Sequence, residues 1–271
     1  MSASPVRIAL FGAAGRMGRS IVANLPDFPG LSLAAAVEAP GSPALGADAA
    51  VLAGAPAPCG VAVTDDAAAA VAACDVAVDF TFHEAVPGHA ALARAGRKAL
   101  LVGTTALTDG ERAAALAVGE VAPVLVASNM SVGVNVLEAL VRRAAAVLGP
   151  EFDAEVVEMH HRHKKDAPSG TALALAAAVA DGRGLELGAV RRDGRSGLVG
   201  ERPRGEIALH ALRGGDVVGD HDVVFAADGE MVRLSHRATS RSCLSRGALR
   251  AAAWLAGRAP GVYTMAQTLG L

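Results

Sequence analysis

Apolar residues follow two rhythms along this chain. Up to about residue 130, short, mainly apolar runs at 6–11, 31–37, 61–63, 76–80, 99–102 and 124–127 alternate with helical-looking, mostly alanine-rich stretches at 19–25, 67–73, 84–95 and 109–118. A strand that is apolar at every position suits a sheet covered on both faces. Strands separated by helices suit a parallel sheet with crossover helices. The Pro- and Ala-rich stretch 39–58 reads as an irregular loop.

Beyond residue 130 the rhythm changes. Residues 134–148 read as one long helix, and 155–163 (EVVEMHHRH) begin as a strand and become a polar loop. A further Ala-rich helix is expected at about 171–180. Alternating strands follow at 206–213, 217–225 and 231–238 with no helix between them, which argues for a more open, largely antiparallel sheet. A last helix, about 242–256, is expected to pack back on the first domain. The fold class read from this is α/β: a Rossmann-type doubly wound parallel sheet over 1–130, completed by 241–271, plus a second α+β domain over 131–240 with an open mixed sheet.

Composition narrows the function. The chain has 271 residues, 52% hydrophobic and 19% charged, enough for a buried core, but aromatics are only 3%. The core is therefore built from small aliphatic side chains, and few rings are available to stack bases. A formal net charge of −2 offers no general basic surface for nucleic acid. The three cysteines, Cys59, Cys74 and Cys243, are widely spaced and form no CxxC or Cys/His zinc pattern, so a reducing, cytoplasmic setting is expected. No apolar run reaches the roughly 18 residues a membrane span needs. The first residues do not read as a signal peptide, since glycines and arginines follow the short apolar run at once.

Two segments carry candidate chemistry. The first is Gly12-Ala13-Ala14-Gly15-Arg16-Met17-Gly18, directly after a strand and opening a helix. So tight a turn needs residues without Cβ, and the helix end behind it offers N–H groups and a positive dipole to a pyrophosphate. The commoner GxGxxG spacing would put glycine where Ala13 stands, so the match is a variant. Glu38 closes the second strand, where an acid accepts from adenosine ribose hydroxyls. A carboxylate there repels a 2′-phosphate and Ala39 adds no positive charge, so the reading leans to NADH, with NADPH as the alternative that Arg16 could serve. Gly103-Thr104-Thr105 and Ser128-Asn129-Met130 follow strands at the edge where open α/β sheets bind ligands, although either can be an ordinary turn.

The second segment runs from Glu158 to Thr171 and contains His160-His161-Arg162-His163-Lys164-Lys165-Asp166-Ala167-Pro168-Ser169-Gly170-Thr171. It can be a solvated basic loop, a metal site or an anion-binding catalytic loop. Adjacent histidines on a strand point to opposite faces and the lysines repel a cation, so no metal is expected. Pro168 suits an early helical position, and Ser169 and Thr171 suit the start of a helix whose dipole would aim at whatever the lysines attract.

The residues from Glu158 to Thr171, together with GAAGRMG, Glu38, DFTFHEA at 79–85, GTT at 103–105, SNMSVGVN at 128–135, RGGDVVGDH at 213–221 and HRATSR at 236–241, resemble the 4-hydroxy-tetrahydrodipicolinate (dihydrodipicolinate) reductase family over nearly the whole chain. The resemblance implies an NAD(P)H-dependent reductase of the diaminopimelate and lysine pathway. It implies a dinucleotide-binding domain, a substrate and oligomerisation domain, and a homotetramer. By motif position, His160 matches a proton donor or acceptor and Lys164 the proton donor. His161, Gly170 and Thr171 match substrate contacts. Gly12, Ala13, Ala14, Gly15, Arg16, Met17, Glu38, Gly103, Thr104, Thr105, Ser128, Asn129 and Met130 match cofactor contacts. Some members have arginine at the position of Ala39, and many have phenylalanine at that of Met130.

The substrate so implied is a cyclic dicarboxylate, with Ser169, Gly170 and Thr171 clamping one carboxylate. Arg162, His163 and Lys165 either add positive field or face solvent. Glu158 either orients a histidine or ends the strand. The rival readings are a two-domain amino-acid or hydroxy-acid dehydrogenase, which leaves the basic run unexplained, and a non-catalytic dinucleotide-sensing protein.

Overall fold

The computed structural model describes residues 4–271, which form two compact units: one of residues up to 132 with 242–271, the other of 133–241. The first unit holds a seven-stranded parallel sheet. Its strands are β1 (Val6–Phe11), β2 (Leu31–Val37), β3 (Val63–Thr64), β4 (Val76–Asp79), β5 (Ala99–Val102), β6 (Pro123–Val126) and, from the far end of the chain, β12 (Gly261–Tyr263). Their order is β12-β6-β5-β4-β1-β2-β3, so β1 has β2 on one side and β4 on the other. That is the doubly wound order, and its switch point lies between β1 and β4.

Both faces of this sheet are buried, which is why its strands are mostly apolar. Ile8 and Leu10 of β1 join Val76, Val78 and Leu101 in one cluster, where α1 (Arg16–Asn24) and α9 (Ser242–Leu255) pack. Ala9 and Phe11 join Ala77, Leu100 and Val102 on the opposite face with α3 (Ala67–Ala73), α4 (Val86–Ala95) and α5 (Asp109–Leu116). The loop expected at 39–58 contains one helical turn, α2 (Ala49–Leu52), capped by Asp48. A short helix, α10 (Met265–Leu269), follows β12.

In the second unit α6 (Val132–Leu148) leads to β7 (Asp153–His160). Then come α7 (Gly170–Arg183), α8 (Leu187–Val190), β8 (Arg191–Asp193), β9 (Ile207–Arg213), β10 (Gly219–Ala227) and β11 (Glu230–Ala238). The sheet order is β11-β10-β7-β9-β8. The β10 pairings are antiparallel, whereas β7–β9 and β8–β9 are parallel. The sheet is therefore mixed, and less antiparallel than the alternating strands imply. Strand alternation reports which face is buried, not strand direction, and the chain between β7 and β9 is long enough for a helical crossover through α7. Leu175, Ala176 and Val179 of α7 bury one face of the sheet with Val156, Leu209, Val223 and Phe225.

Close backbone approach shapes the first unit. A Cβ on Gly247 of α9 would overlap the Met130 carbonyl oxygen. Gly247→Ala should cost upwards of about 1–3 kcal/mol through overpacking against rigid backbone. A lowered thermal midpoint in calorimetry is the expected result; an unchanged midpoint would refute the contact.

Candidate functional site

One candidate site, in the first unit, lies at the carboxyl ends of β1, β2, β4 and β5. Gly12 turns the chain with φ +79°, and its N–H and that of Ala13 bond to the Val37 carbonyl at 2.9 and 3.1 Å. A Cβ on Gly12 would meet the Phe80 carbonyl oxygen at 2.5 Å, and one on Gly18 would overlap Gly12 itself. The chain is thus pressed between two strand ends, and only glycine fits. Gly15 caps α1 without a side-chain bond, and no acid stands in the first turn of that helix. Arg16 there is exposed. Glu38 accepts the Ala14 N–H at 2.8 Å, so the acid also braces the turn. A cradle with no room for side chains, a helix N-terminus and an acid at the end of β2 together fit a dinucleotide.

The other expected cofactor residues divide by exposure. Gly103 is half-buried, Thr104 is buried and Thr105 is exposed on the loop after β5. Ser128 is exposed, and Asn129 accepts the Ser131 N–H at 2.8 Å. Met130 is 2% exposed and packs in the core cluster with Leu249 and Leu125, so its side chain serves packing.

A second candidate site, within the second unit, is built on β7. Alternation sends Ala154, Val156, Glu158 and His160 to the buried face, so the last two put polar groups where the first two put core. Glu158 is 1% exposed. A buried carboxylate is tolerated only when its oxygens are filled. Here Arg213 donates to both at 2.8 and 2.9 Å, the Ser169 N–H donates to Oε1 at 3.0 Å, and His160 Nδ1 donates to Oε2 at 2.6 Å. Burial pushes this carboxyl up, but the donors, led by Arg213, outweigh it and hold it below its ordinary range. An ionised carboxylate only accepts, so the proton of that bond sits on Nδ1 and Nε2 is the working end of His160.

Around that ring stand residues that sequence reasoning did not single out. Gly219 of β10 lies against it, and an added Cβ there would come within 3.0 Å of Nε2. His221 is edge-on to it at 5.1 Å between centroids. The Ser169 hydroxyl is buried as the cap of α7, accepting the Ala172 N–H at 3.1 Å and lying 3.3 Å from His221 Nε2. Pro168 therefore precedes the cap instead of occupying the first turn, and Gly170 and Thr171 open the helix. Lys164 is largely covered, its Nζ 2.9 Å from Asp166. The His161 and Arg162 N–H groups bond to the carbonyls of Val217 and Gly215, which fixes the start of the basic segment. Arg241 donates to His161 Nε2 at 3.3 Å. Arg162, His163 and Lys165 are exposed.

The result is a group of cations near the N-terminus of α7: Arg213 and Lys164, paired with Glu158 and Asp166, and Arg241. Two of its histidines are pushed toward the neutral form: burial takes His221 down to about 4, and burial followed by Arg241 lowers His161. Such a site suits a small anion with more than one carboxylate. Among the described residues no group of three or more His, Cys, Asp or Glu could hold a metal ion, and no helix is long and apolar enough to cross a membrane.

A Rossmann-type sheet with a dinucleotide cradle, together with a second unit that gathers cations and histidines near a helix N-terminus, is the build of a nucleotide-binding oxidoreductase. Comparison with known proteins sharpens this. Family models for the N-terminal and C-terminal parts of dihydrodipicolinate reductase match residues 6–130 and 133–269. The chain belongs to the dihydrodipicolinate reductase family. It is 51% identical to the 4-hydroxy-tetrahydrodipicolinate reductase of Anaeromyxobacter dehalogenans strain 2CP-C over 98% of both chains. It is 47% identical to that of Parvibaculum lavamentivorans, again over 98% of each. A solved dihydrodipicolinate reductase from Paenisporosarcina sp. TG-14, with dipicolinate bound, matches with a TM-score of 0.76 at 23% identity, covering 98% of this chain and 99% of that one; this likeness concerns the fold. The fold alone is shared more widely. A Mycobacterium smegmatis amine dehydrogenase reaches a TM-score of 0.54 at 14% identity, covering 97% and 95%.

The buried histidines have a consequence for pH. His221 takes up no proton in the folded chain until about pH 4, whereas the unfolded chain does so near its ordinary 6.5. Acid therefore favours unfolding, and stability should fall as pH drops from about 6.5 to 4. His161 and His236 act in the same direction. Urea midpoints at pH 7.5 and pH 5 should differ, and His221→Gln should narrow the gap; an equal gap in both proteins would disprove the assignment.

Proposed function

We propose that this chain reduces 4-hydroxy-tetrahydrodipicolinate to tetrahydrodipicolinate in the diaminopimelate and lysine pathway, using NADH in preference to NADPH. The observation that carries the reading is the Glu158 cluster, where Arg213, His160 and the cap of α7 meet on one carboxylate, with Lys164 near enough to act on the adjacent His221. A cyclic dicarboxylate brings two negative charges, and the site answers with cationic side chains and helix-end N–H groups. When bound, the nicotinamide supplies hydride to an electrophilic ring carbon.

The protein's own groups do the rest. Gly170 and Thr171, in the first turn of α7, hold one carboxylate, with His161 as a further contact. Lys164 delivers a proton to the centre beside the reduced carbon, where negative charge builds, and so stabilises the transition state more than the ground state. Glu158 fixes the proton on His160 Nδ1, so His160 presents Nε2 to orient the substrate or relay the proton. The dinucleotide is held by Gly12 to Met17, Glu38, the Gly103–Thr105 loop and the backbone of 128–130. Glu38 with Ala39 beside it favours NADH, since nothing there neutralises a 2′-phosphate. The open face of the second sheet supports assembly as a homotetramer, and the expected setting is the cytoplasm.

The test is a coupled assay in which NADH or NADPH oxidation is followed with freshly generated substrate. kcat/KM should be higher with NADH. Lys164→Ala should lower kcat by about 10²–10⁴-fold, the usual range for loss of a general acid, with NADH affinity unchanged by fluorescence titration. Near-normal kcat in both Lys164→Ala and His160→Ala would sink the catalytic assignment, and turnover of open-chain amino or hydroxy acids alone would sink the substrate.

A further inference from the structure

A second buried carboxylate, on the dinucleotide side, has no part in the reading above. Asp79 ends β4 and is fully buried. Its Oδ1 accepts the Thr81 N–H at 3.0 Å, the Thr81 hydroxyl at 2.7 Å and the Thr104 hydroxyl at 2.8 Å. Its Oδ2 accepts His89 Nδ1, from α4, at 2.7 Å. The His89 ring is itself held, 4.3 Å from that of Phe11 between centroids. Every hydrogen-bond partner of the carboxylate can serve as a donor, as an ionised acid buried away from water requires.

The location gives this network a task. β4 lies beside β1 at the switch point of the sheet, where ligands of doubly wound folds bind. Thr81 Cγ2 would lie 3.3 Å from a Cβ on Gly12, so the loop after β4 abuts the glycine turn. Thr104 belongs to the loop after β5, and the Thr81 N–H also reaches its hydroxyl at 2.9 Å. One carboxylate therefore ties two loops of the cradle to each other and to a helix.

We infer that Asp79 is a positioning residue for the dinucleotide: it commits the hydroxyl protons of Thr81 and Thr104, so that the Thr81 oxygen has only lone pairs to offer a ligand. A hydroxyl has one proton, and that of Thr81 points to Oδ1. A group bound beside the glycine turn then meets an acceptor of fixed sense, suited to a ribose hydroxyl or a carboxamide N–H. Without the carboxylate the Thr81 hydroxyl keeps only the longer contact to the Phe82 carbonyl at 3.2 Å, and the two loops lose their common anchor. The inference rests on the reading that this unit holds NAD(P)H.

Asp79→Asn tests it, because the variant keeps the shape but removes the charge: its amide N–H either faces the Thr81 N–H or forces His89 to give up its Nδ1 proton. The Kd for NADH, from fluorescence titration of the full chain, should rise about tenfold or more, the scale of a lost hydrogen bond to a charged group. The Kd for dipicolinate, measured by calorimetry, should stay at the wild-type value. His89→Asn keeps a donor near the position of Nδ1 and should retain more NADH affinity than His89→Ala. Wild-type NADH affinity in Asp79→Asn overturns the inference. So does equal loss of NADH and dipicolinate binding, which marks a general effect on folding. Equal NADH affinities in the two His89 variants overturn the role given to Oδ2. Because the readout is a binding constant, a wild-type protein that binds NADH without reducing the dicarboxylate overturns the proposed reaction and leaves this inference standing.

Discussion

Burying a carboxylate at the end of a strand costs several kcal/mol unless its oxygens are filled, and at Glu158 that demand organises the second unit. The donors come from three places: Arg213 at the end of β9, His160 two residues along the same strand, and the Ser169 N–H at the cap of α7. None of these could satisfy the acid alone. Parallel pairing sets His160 opposite Arg213, and that register brings the guanidinium within reach of Glu158. The acid thus joins two strands and a helix cap, and the orientation of His160 follows from it.

The same construction recurs in the first unit. A helix that carries the chain between parallel strands must begin near the carboxyl end of the strand it leaves, so strand end and helix N-terminus meet by topology. β1 passes to α1 through the glycine turn, and β7 passes to α7 through the basic segment. Each junction offers a positive helix end to an anion. At each, an acid accepts a backbone N–H: Glu38 takes that of Ala14, and Glu158 that of Ser169. The acids set the geometry, and the rest of each helix end is left to bind.

Much of this is legible in the sequence, because it is local. Mainly apolar runs announce a sheet covered on both faces. The glycine trio announces a close approach, and the charged run before Ser169-Gly170-Thr171 announces an anion site at a helix start. What escapes is what depends on distant partners. Arg213 and Glu158 are 55 positions apart, and Ser169 and His221 are 52 apart. No periodicity reports that Gly219 leaves room for an imidazole or that Asp79 collects two threonine hydroxyls. The short strands β8, Arg191–Asp193, and β12, Gly261–Tyr263, are too brief for a pattern and are defined by their neighbours. Met130 reads as a strand-end contact, but its side chain belongs to the core, since burial depends on the packing of α9.

The neutrality of the buried histidines completes the electrostatic logic of the pocket. Were His161 and His221 cationic, they would stand among Arg241, Arg213 and Lys164, and the repulsion would be met in the empty pocket at every pH of interest. Burial removes that conflict, holding His221 down at about 4, and for His161 the neighbouring Arg241 adds to burial. The positive field is therefore set by the arginines and the helix end, while the two rings contribute shape and hydrogen-bonding capacity. The Arg241 bond to His161 illustrates the point: a guanidinium can only donate, so the ring nitrogen facing it must carry a lone pair. A site built this way separates the attraction of an anion from the movement of a proton, leaving the first to arginine and the helix end and the second to His160 and Lys164.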